Sequence, residues 1–129
     1  MVTPASRWIT VSVKGGRTRQ EALHVAQAIA NAPLVKTMVA GQDPNWGRVA
    51  ATVGATGIPI DPNRLRIALS GIHVFQRGTP KPLYRLLLKE RFRKPHVSIE
   101  VSLGRGLAKA QVYGCDLTEG YVRINAKYS

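Results

Sequence analysis

The chain has 129 residues, 44% of them hydrophobic, with 19 Lys and Arg against 7 Asp and Glu for a formal net charge of +12. Residues 1–129 suit a single domain with one core, and no run approaches the roughly 18 apolar residues of a membrane span, so no membrane role is expected. Met1 is followed by no apolar secretory segment and the lone Cys115 excludes an internal disulfide, so a cytoplasmic protein in a reducing compartment is expected.

WITVSVK, residues 8–14, sets Ile9, Val11 and Val13 against Thr10, Ser12 and Lys14, the alternation of a half-buried strand. Gly15 and Gly16 are expected to break it. Thr18 and Glu21 form a T-x-x-E capping box opening a helix to about Ala30, with Ala22, Val25, Ala26 and Ile29 on its inner face. Such small residues let a helix lie close on a sheet. Asn31-Ala32-Pro33 ends that helix, and LVKTMVAG, residues 34–41, fits either a strand or a short helix.

GQDPNWGRVAATVG, residues 41–54, reads as a short helix. Asp43 is the expected N-cap and Pro44 the first helical position, because Asp accepts from orphan N–H groups and Pro has none to lose. Trp46, Val49, Ala50 and Val53 recur at helical spacing, which predicts a largely buried Trp46 against the sheet. Gly54 supplies the stop, and Arg48, with Asp43 and Asn45, is expected to anchor the helix start and its loop.

Pro59 and Asp61-Pro62 mark turns. RLRIALS points Leu65, Ile67 and Leu69 inward, and Ser70-Gly71 turns it into IHVFQ as a hairpin. KPLYRLLLKERFRK, residues 81–94, predicts an amphipathic helix with Arg85, Lys89 and Arg93 in one outer row and Leu83, Tyr84, Leu87, Leu88 and Phe92 on the other side. Pro95 ends it. VSIEVSL, residues 97–103, alternates again, and Gly104-Arg105-Gly106 turns it into AKAQVYGCD. Strands, hairpins and helices in this order imply an α+β domain, a mixed sheet with packed helices.

The positive field makes nucleic acid a possible partner, of weak and sequence-independent kind. The basic helix face reads first as a solvated surface, since no RNP-type motif, zinc-finger spacing or aromatic-basic interleaving accompanies it. His24, His73 and His96 are scattered, without partners at metal-ligand or catalytic spacing, so no metal site is expected. Cys115, between Gly114 and Asp116, reads as a structural thiol. No phosphate loop is present, no cofactor is expected, and spacing alone gives no catalytic constellation.

The block GQDPNWGRVAATVG, with ANAPLVKT before it and CDLTEGYVRINAKYS at the end, resembles the ornithine acetyltransferase (glutamate N-acetyltransferase) family of arginine biosynthesis. WITVSVKGG, QEALHVAQAIANAP, G-I-P-I-D-P and Y-V-R-I-N occur in the family's order, so the resemblance covers nearly the whole chain. It implies the C-terminal part of the β chain of an autoprocessed enzyme with an N-terminal-nucleophile-type acetyltransferase fold. The family's β chain starts at a catalytic Thr, which carries acetyl from N-acetylornithine to glutamate. The nucleophile and oxyanion-hole threonines have no counterpart in these residues, and Thr3 lacks the family's surrounding pattern. No catalytic residue is therefore assigned.

The resemblance implies three substrate-binding positions. Gln42 stands where the family has a binding Glu, which keeps an acceptor oxygen but removes a charge for an ornithine ammonium. Asn125 matches a binding Asn, and Ser129 lies one position before the family's closing Thr. Lys127 replaces a usual acidic residue, and Arg7 falls where a Lys precedes the first strand. Two functions are expected to compete. One is a piece of the acetyltransferase, supplying a pocket wall and joined by an α chain and N-terminal β segment if these are encoded. The other is a non-catalytic basic binding module. A homo-oligomer is expected, because part of a larger fold exposes an apolar face, whereas a clean monomer would speak for an independent module.

Overall fold

In the computed structural model, residues 7–80 and 84–115 are described in full and residues 122–124 by their backbone. The described elements are β1 (Trp8–Gly16), α1 (Arg19–Asn31), α2 (Pro33–Ala40), α3 (Trp46–Ala55), β2 (Arg66–Leu69), β3 (Ile72–Gln76), β4 (Thr79–Pro80), α4 (Arg85–Phe92), β5 (His96–Ser102), β6 (Ala108–Cys115) and β7 (Val122–Ile124). One sheet holds all these strands in the order β4-β3-β2-β5-β1-β6-β7. β1 and β5 run parallel and the other pairs antiparallel. This is the α+β, mixed-sheet architecture that the strand and helix periodicities imply.

The period-two pattern decides which face is buried. Register sets Val11 beside Ile99 and Val112, and Ile67 beside Val101. These side chains join Val25, Ile29, Met38, Val53, Leu88 and Phe92 in one buried cluster, so all four helices cover one face of the sheet. Polar residues occupy the other face: Ser12 lies between Glu100 and Gln111, and Thr10 between Ser98 and Tyr113. A mostly antiparallel sheet tolerates this division, with one face packed and one facing water.

Three local readings are sharpened. LVKTMVAG forms α2 up to Ala40, with Gly41 as its C-cap, and Val35, Met38 and Val39 share the helical face that reaches the core. Ser70 and Gly71 have φ of 49° and 82°, the two positive angles that a type I′ hairpin turn requires. Gly15 and Gly16 do not end β1, which runs through them with a register irregularity after Val13. A Cβ on Gly15 would stand 2.8 Å from the Gly104 nitrogen, so this glycine marks two backbones in close approach rather than a break.

α1 begins as its capping box requires, with the Glu21 N–H donating to Thr18 Oγ1 at 3.0 Å. The Glu21 carboxylate reaches the Arg17 N–H at 2.8 Å and takes a bidentate bond from Arg105, at 2.8 and 3.1 Å. Arg105 also donates to the Pro59 carbonyl at 2.6 Å, tying the β5–β6 turn to α1 and to the loop before β2. The Arg105 hydrogen bond holds the Glu21 carboxyl below its usual range, against an opposing effect of burial.

The basic helix is shorter than expected, with an inner face limited to Leu88 and Phe92. Tyr84, Leu86 and Leu87 are exposed, because two helical turns present only an i, i+4 pair to the core. Leu83 lies outside the described residues. Arg85, Lys89 and Arg93 are all exposed, as the outer row requires. Arg7 donates to the carbonyls of Phe92 and Lys94 at 2.6 Å each, satisfying acceptors at the end of α4.

Candidate functional site

The helix that follows Gln42 starts later than the sequence suggests. Asn45, not Asp43, is the N-cap: its Oδ1 accepts from the Gly47 N–H at 3.1 Å, and Trp46 opens α3. Asp43 is occupied otherwise, because its N–H closes the end of α2 by donating to the Met38 carbonyl at 2.9 Å. The Gln42 N–H donates to the Val39 carbonyl at 3.1 Å. Together these bonds form a Schellman motif with Gln42 at the left-handed position that usually holds glycine. Its φ is 55°. A side chain there costs conformational energy, so the candidate binding residue sits on strained backbone.

Gln42 and Gly41 line a depression of about 460 Å³ whose other wall is α4, through Leu86, Lys89, Glu90 and Arg93. Of the residues around this depression, the resemblance pointed only to Gln42. Lys89 and Arg93 were visible as a basic row, yet nothing local could show that this row faces the α2–α3 loop. The setting adds two cations and one anion around the carboxamide.

Arg48 donates to the Leu34 carbonyl and to Thr37 Oγ1, both at 3.0 Å. It therefore ties α3 to the start of α2, rather than anchoring the first turn of its own helix. Trp46 is partly buried against the core and lies against Phe75 of β3 with ring centroids 5.2 Å apart. As the first residue of α3 it reaches only the rim of the core, while Val49 and Val53 are buried.

Asn125, Ser129, Lys127 and Thr3 lie outside the described residues. Cys115 is buried and forms no disulfide. His24 and His73 are exposed, but His96 is hydrogen-bonded to Thr10 Oγ1 across the β1–β5 pair. Eighty-six positions separate those two residues, so sequence spacing carried no signal of the pair. Among the described residues, no group of three His, Cys, Asp or Glu side chains could hold a metal ion, and no helix is long and apolar enough to cross a membrane.

A helix layer on one face of a mixed seven-stranded sheet defines an α+β class with a solved counterpart. The crystal structure of the arginine biosynthesis bifunctional protein ArgJ from Bacillus halodurans superposes with a TM-score of 0.83 at 32% identity, over 88% of this chain and 54% of that one. The sequence model of the ArgJ family matches residues 3–129, and the chain belongs to that family. Its similarity to arginine biosynthesis bifunctional proteins is 42% identity over 125 residues in Bradyrhizobium diazoefficiens and 42% over 125 residues in Thermus thermophilus. It is 40% over 126 residues in the chloroplastic protein of Zea mays. These alignments take in 96%, 97% and 94% of this chain but 30%, 32% and 27% of the relatives. The chain thus spans about a third of the length of the curated relatives it matches.

Proposed function

We propose that these residues form the C-terminal portion of a glutamate N-acetyltransferase and ornithine acetyltransferase of arginine biosynthesis, folded as one domain in the cytoplasm. Matches over more than nine-tenths of this chain to arginine biosynthesis bifunctional proteins carry the reading. In it Gln42, Asn125 and Ser129 contribute one wall of a pocket for small amino-acid substrates. No cofactor takes part. The threonine nucleophile, the α chain and the N-terminal β segment belong to sequence other than these residues. The assembled protein is a homo-oligomer, for which the exposed Leu86 and Leu107 offer apolar contact area.

Covalent acetyl transfer needs a nucleophile, a base and oxyanion donors held together. The test incubates the lone chain with N-acetylornithine and glutamate and reads it by mass spectrometry. The expected result is no acetyl adduct and no turnover. Adding an α chain and a threonine-headed β segment restores turnover. Asn125→Ala then weakens substrate binding more than it lowers stability, and Gln42→Glu tightens ornithine-type ligands by restoring an anionic partner. A stoichiometric adduct on the lone chain, with turnover, would overturn the division of labour. Unchanged ligand affinity in both Asn125→Ala and Gln42→Glu would remove these positions from the pocket.

A further inference from the structure

The open face of the sheet carries a second depression, of about 630 Å³, on the side away from the helices and from Gln42. Its volume is in the range of small-molecule sites. Strand register builds it in two neighbouring rows. One row runs Arg66, Ser102, Lys14 across β2, β5 and β1. The next runs Ala68, Glu100, Ser12, Gln111 across β2, β5, β1 and β6. Lys109, near the start of β6, completes the lining.

Three features of this lining are unexplained by the fold. Lys14, Arg66 and Lys109 are exposed, and among the described residues none is in an ion pair within 4.0 Å, although Glu100 lies one row away. Adjacent strands are spaced about 4.8 Å apart, which puts Arg66 and Lys14 about 10 Å from each other at the backbone, with Ser102 between them. That spacing fits one multiply charged anion held by both cations and the hydroxyl. Ser12 and Gln111 are locked by a bond from Gln111 Nε2 to Ser12 Oγ at 2.9 Å, and Tyr113 donates to Gln111 Oε1 at 3.1 Å. The floor is therefore held in one arrangement before any ligand arrives.

We infer that this depression binds a ribose-phosphate ligand, with the phosphate on Lys14, Arg66 and Lys109 and a pair of sugar hydroxyls donating to Glu100. The three cations select a phosphate, for which arginine offers paired donors and lysine a point charge. A carboxylate at the centre of a cationic site weakens binding of a bare anion, so its presence calls for a donor on the ligand. Two neighbouring hydroxyls supply one to each carboxylate oxygen. The site is independent of the acetyltransferase reading, since it shares no residue with the pocket wall at Gln42.

The experiment titrates the isotopically labelled 129-residue chain with ribose 5-phosphate, 2-deoxyribose 5-phosphate and inorganic phosphate, and follows amide shifts. Ribose 5-phosphate is expected to shift the amides of residues 12–14, 100–102 and 109–111 saturably, and 2-deoxyribose 5-phosphate to bind about tenfold more weakly through loss of one charge-assisted bond. Glu100→Gln should narrow that difference, while Lys14→Glu with Arg66→Glu should abolish the shifts and leave the rest of the spectrum native. No saturable shift in the native chain, or shifts that survive the double charge reversal, would overturn the site. Equal affinity for the two sugar phosphates would overturn the role given to Glu100. A ribo-oligonucleotide that binds while ribose 5-phosphate does not would assign the surface to nucleic acid and overturn the small-ligand proposal.

Discussion

Replacing Gln42 by glycine tests whether the α2–α3 junction holds backbone strain. Gln42 is the left-handed residue of a Schellman motif, with φ of 55°. An L-residue there costs about 1–2 kcal/mol, because its Cβ crowds the following carbonyl. Glycine removes that cost but raises the entropy of the unfolded chain, which takes back about 0.5–1 kcal/mol. The Gln42 side chain is half-exposed, so little packing is lost with it.

 The net expectation for Gln42→Gly is a gain of about 0.5–1 kcal/mol. Urea denaturation measures it: with a slope of about 1–3 kcal/mol per molar, the midpoint should rise by a few tenths molar at unchanged slope. Gln42→Val should shift it the other way, since a β-branched side chain suits positive φ least. A glycine variant less stable than the native chain, at the same slope, would refute the reasoning. It would mean that side-chain contacts, not backbone geometry, decide the energetics of this position.

Phe92 is fully buried, so Phe92→Ala should cost about 3–5 kcal/mol, whereas the half-buried Trp46→Ala should cost about 1.5–3 kcal/mol; equal losses in thermal unfolding would contradict the placement of Trp46 at the core rim. Glu21 has a folded-state pKa below its unfolded value, so its stabilisation is present above the unfolded carboxyl value of about 4.3 and is lost as pH falls through the lower folded one. Glu21→Gln should therefore lower the melting temperature at neutral pH and converge with the native chain in acid; a difference that persists undiminished well below pH 4 would count against the Arg105 pairing.

Much of the helix and strand inventory was legible because its signals are local. The alternation of Ile9, Val11 and Val13, the Thr18–Glu21 capping box and the Ser70-Gly71 turn each act over a few residues, and each appears where its chemistry demands. The DPNWGR block and the terminal Y-V-R-I-N identified the family for the same reason, as contiguous runs of side chains. What failed locally was decided by competition. Asp43 has the chemistry of a cap, but its N–H closes α2 and leaves Asn45 to start α3. Gly15 has the composition of a break, but the backbone of Gly104 passes so close that only a glycine fits. The tertiary structure alone brought Lys89 and Arg93 to Gln42, His96 to Thr10, and Arg66, Lys14 and Lys109 to one face. Those groupings depend on sheet order and register, which pair residues far apart in the chain, and no short-range pattern encodes them.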